Sequence, residues 1–309
     1  MKMTLYDVAL PLRHVFTIAH GSISLQENLI VELRDGDHAG YGEGASLNYY
    51  GVTAETMRRD LEALRGDIEN TSWERPEELF DAIKPKLAHN RFALCALDQA
   101  AHDLWGNRLG KPVYELWGLK LDPERLPRSN YTIGIDPIEK MVAKMQEFGD
   151  WPIFKIKLGT KEDIEIVRAL RKHTQAIFRV DANTAWTVEE TQRNAEAMRE
   201  LGVEFIEQPL PAEKIDEMPR LYRESALPLV ADESCLVEED VARCAGKFHG
   251  VNIKLTKCGG LTPARRMIAE ARSLGLKVMV GCMTESTVGI SAIAQLLPLI
   301  DYVDMDGAV

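Results

Sequence analysis

Ile177-Phe178-Arg179-Val180-Asp181-Ala182-Asn183 reads as a short β-strand that ends in an acid. Two later runs share the design, Phe205-Ile206-Glu207 and Leu229-Val230-Ala231-Asp232. A carboxylate at the end of a buried strand needs its charge compensated. A single such acid is better explained as a helix cap or a lysine partner. Three at matched positions on successive strands point to a shared cation.

Working outward, the strand–loop–helix rhythm runs from Ser129 to the end of the chain. Strands are expected at Tyr131–Ile133, Ile153–Lys157, Ile177–Asp181, Phe205–Glu207, Leu229–Asp232, Val251–Lys254, Lys277–Val280 and Tyr302–Asp304. Helical patterns such as Glu162–Arg171, Val188–Leu201 and Pro263–Leu274 fall between them. A spacing of roughly 25 residues per unit suits a parallel βα barrel of eight strands, whose active sites lie at the C-terminal strand ends. The three acids fall there.

The first part of the chain has a different grammar. Tyr6–Leu12, Leu29–Leu33 and Ala39–Glu43 read as an antiparallel sheet of three strands, with Asp35-Gly36-Asp37 as a turn. His14–Gln26 reads as a polar loop, long enough for a lid. Amphipathic helices follow at Ala54–Arg65, Arg75–Leu87 and Arg91–Leu104, the last with small alanines on one face. The expected architecture is a (β/α)7β TIM-like barrel over residues 111–309, preceded by an α+β capping domain over 1–110.

Composition narrows the function classes. The 309 residues carry a formal net charge of −11, which argues against the basic face that nucleic acid requires. Five cysteines, Cys95, Cys235, Cys244, Cys258 and Cys282, include no Cys-x-x-Cys pair, so a reducing cytoplasm is the expected setting. No signal-peptide core and no membrane-spanning apolar run is found.

The chemistry follows from the strand ends. Asp181, Glu207 and Asp232 are hard oxygen donors that favour a hard divalent ion such as Mg²⁺. Lys155 and Lys157 end the second barrel strand and point the same way. Lys254 ends the sixth, across the barrel. A cation on a carboxylate stabilises the enediolate formed when the adjacent carbon loses its proton. A lysine on each face would remove the proton from one side and return it from the other, which inverts the carbon. Asp304 and Asp306 end the last strand two residues apart. They are surplus to the metal and would attract a cationic group such as an ammonium, unless they belong to a solvated tail.

Several motifs match a known family. Lys155-Ile-Lys157, Asp181-Ala-Asn183, Glu207-Gln208-Pro209, Asp232-Glu233-Ser234 and Lys254-Leu-Thr-Lys257-Cys-Gly259-Gly260 resemble the muconate-lactonising subgroup of the enolase superfamily. Ala96-Leu-Asp98-Gln-Ala100-Ala-His-Asp103 and Gly110-Lys-Pro112-Val113 resemble the stretch before its barrel. Asp304-Met-Asp306 resembles the Asp-x-Asp motif of the dipeptide epimerases within it.

The resemblance implies Mg²⁺ on Asp181, Glu207 and Asp232, with Lys157 and Lys254 as the acid/base pair. It implies Thr132 and Lys155 at the substrate carboxylate, the substrate ammonium on Asp304 and Asp306, and substrate contact at Cys282 through its backbone. Asn183 and Glu233 would stand behind the ligands. Relatives that epimerise Ala-Glu can carry an arginine in the lid. None lies here between Arg13 and Arg34, and His20 sits near the tip, so a non-acidic or hydrophobic dipeptide is expected. Members also return a C-terminal segment to the lid, where this sequence stops at Val309. The alternatives are an N-acylamino acid racemase, an o-succinylbenzoate synthase, a muconate-type cycloisomerase, or a non-catalytic binding protein on the same fold. A homo-oligomer is compatible with the resemblance.

Overall fold

The computed structural model describes residues 1–18 and 21–309. Strands β1 (Lys2–Ile18), β2 (Gly21–Asp35) and β3 (His38–Ala45) form an antiparallel sheet in that order. Helices α1 (Ala54–Ala63), α2 (Arg65–Asn70), α3 (Pro76–Leu87) and α4 (Arg91–Leu109) pack beside it, and α5 (Val113–Leu116) leads away. Thr53 starts α1 with a capping box shared with Thr56, and Pro76 sits in the first turn of α3, where its missing N–H costs nothing.

The tightest seam lies between β3 and α4. A Cβ on Gly40 would stand 2.1 Å from Leu104 N, and one on Gly42 would stand 2.1 Å from Ala96 O. Backbone therefore meets backbone here, which explains why the helix presents Ala96 and Ala100 to this strand.

Residues 14–18 and 21–26 differ from the expected loop. They extend β1 and β2 as a two-stranded arm, with Phe16 opposite Ile23, Thr17 opposite Ser22 and Ile18 opposite Gly21, after an irregularity between Pro11 and Phe16. An arm with little of either face buried lacks the alternating pattern that marks a strand in sequence. Thr17 O accepts a hydrogen bond from Ile135 N of the barrel at 2.9 Å, so the arm leans on the barrel mouth. His20, expected at the tip, lies outside the described residues.

The remaining strands are β4 (Tyr131–Ile133), β5 (Ile153–Lys157), β6 (Ile177–Asp181), β7 (Val203–Glu207), β8 (Leu229–Ala231), β9 (Gly250–Lys254), β10 (Lys277–Gly281) and β11 (Tyr302–Asp304). They are parallel, in sequence order, and a parallel bridge from Ser129 to Val303 joins the first to the last. The outer layer holds α6 (Ile138–Glu147), α7 (Asp163–Arg171), α8 (Val188–Glu200), α9 (Met218–Glu224), α10 (Glu238–Cys244), α11 (Leu255–Cys258), α12 (Leu261–Ser273) and α13 (Thr287–Ala294).

One large core lies between strands and helices, a second fills the capping unit, and Phe205, Val230 and Met279 plug the barrel with Tyr302 against them. Arg179 lies over the rings of Phe205 and Tyr302, at 5.4 and 5.0 Å. All five cysteines are unpaired and buried. Among the described residues no helix is long and apolar enough to cross a membrane.

Candidate active site

The C-terminal strand ends form a rim with two registered halves. Lys157, Asp181 and Glu207 stand level on β5, β6 and β7, while Lys254, Gly281 and Asp304 stand level on β9, β10 and β11. Strands β5 and β9 are four places apart in an eight-strand ring, so the two lysines face each other across it. The acids are buried because their strands are covered on both faces.

Ammonium groups balance the acids. Lys155 Nζ lies 2.8 Å from Glu207 Oε2 and 3.2 Å from both Asp181 Oδ2 and Asp304 Oδ2. Lys157 Nζ lies 2.7 Å from Asp181 Oδ2. Lys254 Nζ and Lys257 Nζ lie 3.0 and 2.7 Å from the two oxygens of Asp232. Burial alone would depress the Lys155 ammonium, but Glu207, Asp181 and Asp304 hold it well above its usual range. Burial likewise works against the Lys254 ammonium, and Asp232 raises it nonetheless. Asp181 is held low against its burial by Lys157 and Lys155, and Asp232 by Lys254 and Lys257. Glu207 is pushed up by burial and by Asp181. Glu233, beside Asp232, is pushed up to about 7, by burial first and then by its neighbour's charge.

Local backbone geometry sets this arrangement. Asn183 and Gln208 adopt positive φ, 42° and 35°, where non-glycine residues are uncommon. Asp181 Oδ1 accepts from Asn183 N at 2.9 Å, which folds the chain back after β6. Gln208 Oε1 accepts from Asp232 N and Ser234 N at 2.9 and 3.1 Å, tying the end of β7 to that of β8. Asn252 Nδ2, on β9, reaches past β8 to Glu207 Oε1 on β7 at 2.7 Å. It has room because Gly281 has no side chain, and a Cβ there would stand 2.8 Å from Asn252 Oδ1.

The donor set fits a divalent ion. Glu207 Oε2, Asp232 Oδ2 and Asn183 Oδ1 are buried without an aligned hydrogen-bond donor, although ammonium groups lie near the first two. Charge is balanced while lone pairs stay open, as a cation site of hard oxygens requires. Among the described residues, the three potential ligand atoms grouped within 4.8 Å belong to Cys282, Asp304 and Asp306. The strand-end acids are instead turned onto their lysines.

The last-strand acids are not a solvated tail. Asp304 accepts from Asn130 Nδ2 at 2.9 Å and faces Lys155, and Asp306 accepts from Thr132 N at 2.5 Å. Burial and the adjacent Asp304 push Asp306 well above the usual carboxylate range, while Lys155 keeps Asp304 low against its burial. Cys282 Sγ stands 3.9 Å from Asp306 Oδ1, and burial raises its thiol well above its usual range. The pair is short of positive charge, so it suits a cationic ligand group.

Over this rim lies a cavity of about 1030 Å³, roofed by the β1–β2 arm and the Tyr49–Tyr50 turn. Lys155, Lys157, Lys254, Asp304 and Asp306 all line it, as do Thr132, Asn183, Asp232, Glu233 and Cys282. Asp181 and Glu207 lie beneath, fully buried.

Comparison with known proteins agrees with this geometry. Residues 1–118 match the mandelate racemase/muconate lactonizing enzyme N-terminal domain, and residues 138–305 match the enolase C-terminal domain-like family. An L-Ala-D/L-amino acid epimerase of Flavobacterium johnsoniae is 56% identical over 100% of this chain and 91% of its own length. The chain belongs to the dipeptide epimerase family of the enolase superfamily. Another L-Ala-D/L-amino acid epimerase, from a Maribacter species, is 54% identical over 100% of this chain and 90% of its own. The family likeness is also structural. A Methylococcus capsulatus dipeptide epimerase complexed with Mg and L-Arg-D-Lys superposes with a TM-score of 0.90 at 33% identity, over 99% of this chain and 90% of that one.

Some residues around the site carry no signal of their own in the sequence. Asn130 and Asn252 lie two residues before Thr132 and Lys254, so strand alternation aims them at the same face, and that is the signal by which they could be found. Lys257 lies three residues beyond Lys254, in α11. It pairs with Asp232 and lies 5.5 Å from the centre of the Tyr50 ring in the capping unit.

Proposed function

We propose that this chain is a Mg²⁺-dependent dipeptide epimerase, an isomerase that inverts the α-carbon of the C-terminal residue of a dipeptide. The observation that carries the reading is the pair of lysines on opposing strands, Lys157 and Lys254, with buried acids between them and Asp304 and Asp306 to one side. Asp181, Glu207 and Asp232 would hold the metal, with Asn183 and Glu233 behind them. Bound Mg²⁺ supplies the positive charge that stabilises an enediolate of the substrate carboxylate.

The chain's own residues do the rest. Lys155 and Thr132 orient the substrate carboxylate, and the backbone at Cys282 contacts the substrate. Asp304 and Asp306 bind the ammonium, which fixes which α-carbon lies between the lysines. One lysine removes the α-proton and becomes an ammonium. The other, already protonated, delivers a proton to the opposite face, so the configuration inverts. An N-acylamino acid or a muconate has no ammonium and would leave the two aspartates without a partner.

The side-chain class follows from the roof. Leu10, Leu12, Val15, Phe16, Ile23 and Leu25 of the β1–β2 arm line the cavity beside Arg13, His14 and Lys144, and because Glu147 takes up the first two of these and Asp136 the third, the arm favours a hydrophobic residue. Relatives named for L-Ala-D/L-amino acid substrates support an N-terminal alanine. The five unpaired cysteines support a cytoplasmic setting, and residues 1–110 and 111–309 are the working division between cap and barrel. The test is Asp304→Asn assayed on L-Ala-L-Leu. Loss of one charged ammonium contact should lower kcat/KM by about 10- to 100-fold. Unchanged turnover, or faster exchange with N-acetyl-leucine than with the dipeptide, would favour the racemase reading.

A further inference from the structure

Glu43 belongs to β3 of the capping sheet, is fully buried, and lies outside the set of residues that the proposed reaction uses. Its backbone N–H donates to Gln99 Oε1 at 3.1 Å, which fixes it against α4. Its carboxylate crosses to the barrel. It accepts from Ser286 N at 2.9 and 3.1 Å, from Ser286 Oγ at 2.6 Å and from Gly289 N at 3.0 Å. Asn28 Nδ2 donates both to Glu43 Oε1 at 2.7 Å and to Thr284 O at 3.0 Å. One buried carboxylate thus accepts two of the N–H groups at the start of α13, those of Ser286 and Gly289, and, through Asn28, holds the turn before it.

That turn sets the acids of the last strand. Gly307 is packed so closely that a Cβ would stand 2.1 Å from Met283 O, 3.0 Å from Glu285 N and 3.2 Å from Cys282 Sγ. Cys282 N donates to Asp304 O at 3.0 Å, and Cys282 Sγ faces Asp306 Oδ1. Residues 282–285 therefore form a wall against which Asp306 and Gly307 rest, and Glu43 holds that wall from the other domain. Asp98 offers a contrast. It too is a buried capping-unit acid at a barrel helix, accepting from Thr262 N and Oγ1 at 2.9 and 2.7 Å at the start of α12, but its hydrogen bonds do not reach residues 282–289.

We infer that Glu43 is a positioning residue for the ammonium subsite: a capping-domain carboxylate that fixes, through Ser286 and the 282–285 turn, where Asp306 stands. This rests on the proposed reading of Asp304 and Asp306 as partners of the substrate ammonium. It makes the cap a part of substrate recognition at a point remote from the lid arm.

The experiment compares Glu43→Gln with Asp98→Asn in the full chain, using L-Ala-L-Leu kinetics, calorimetric Mg²⁺ binding and thermal melting. Glu43→Gln should raise KM by at least about tenfold, leave kcat within about threefold, and leave Mg²⁺ affinity within about twofold. Asp98→Asn should lower Tm while KM stays within about twofold. Unchanged KM in Glu43→Gln, or a loss of kcat and Tm that Asp98→Asn reproduces, overturns the inference. Should Glu43→Gln fail to fold, Ser286→Ala removes only the hydroxyl contact and should raise KM by about threefold, and an unchanged KM there overturns it equally. An inactive wild type would instead sink the epimerase reading, so the two failures are distinguishable.

Discussion

Lys155→Met removes one buried ammonium from three carboxylates while keeping most of the side-chain volume. Lys155 Nζ stands 2.8, 3.2 and 3.2 Å from Glu207, Asp181 and Asp304, so no other group replaces it for all three. At an effective dielectric near ~20, each contact at about 3 Å is worth about 5 kcal/mol before solvation is counted. Burying the ammonium costs several kcal/mol in return, and removal of one partner of a buried ion pair typically destabilises by about 3–5 kcal/mol. We expect that loss in EDTA.

With Mg²⁺ the outcome should differ. A divalent ion on the same acids replaces the missing charge, and its repulsion from Lys155 disappears in the variant. Ligand at a hundred times its Kd stabilises a protein by about 2.7 kcal/mol, and tighter binding adds to this. The deficit of Lys155→Met should therefore shrink by at least about 1 kcal/mol in saturating Mg²⁺. Urea unfolding of both proteins, in EDTA and in Mg²⁺, measures it. An equal deficit in both conditions would refute the idea that lysine and metal compete for these carboxylates.

Two further predictions concern the scaffold. Gly42→Ala puts a methyl group into the backbone of α4, where no flexible side chain can yield, and should cost about 3 kcal/mol or more and lower Tm by roughly 5–10 °C. A Tm within about 2 °C of wild type would show that the seam can open. Glu285 is buried and pushed up to about 8, by desolvation first, from an ordinary value of 4.5. Between those pH values the folded state keeps a proton that the unfolded state has released, so stability falls as pH rises through the window and levels off above it. The cost is at most about 5 kcal/mol, and Glu285→Gln should abolish this part of the decline. Denaturation midpoints at pH 5 and pH 8 decide it, and parallel losses in the two proteins would contradict the assignment.

The legibility of this chain depended on how local each signal was. The eight barrel strands and their terminal acids were readable because a buried parallel strand is a compact apolar run and its end is marked by one polar residue. Lys155, Lys157 and Lys254 were readable for the same reason. The arm formed by residues 14–18 and 21–26 was not, because a ribbon with so little buried surface has no apolar face to alternate. Glu43 was not readable as part of the site because its partner Ser286 lies 243 residues away, and only the folded chain brings the two together. The fate of Asp304 and Asp306 was open in the sequence. Closure of the barrel by Ser129 and Val303 buried Asp304 and left Asp306 half-buried beside it.

The most direct test of the central claim is proton NMR of L-Ala-L-Leu in D₂O with Mg²⁺, for the wild type, Lys157→Ala and Lys254→Ala. The two-base account predicts that the wild type exchanges the leucine α-proton and forms the L,D diastereomer. Each variant should lose epimerisation, and a variant that retains the base for the L isomer should still exchange its α-proton with retention. Exchange confined to the alanine α-proton, or epimerisation surviving in either lysine variant, would contradict it.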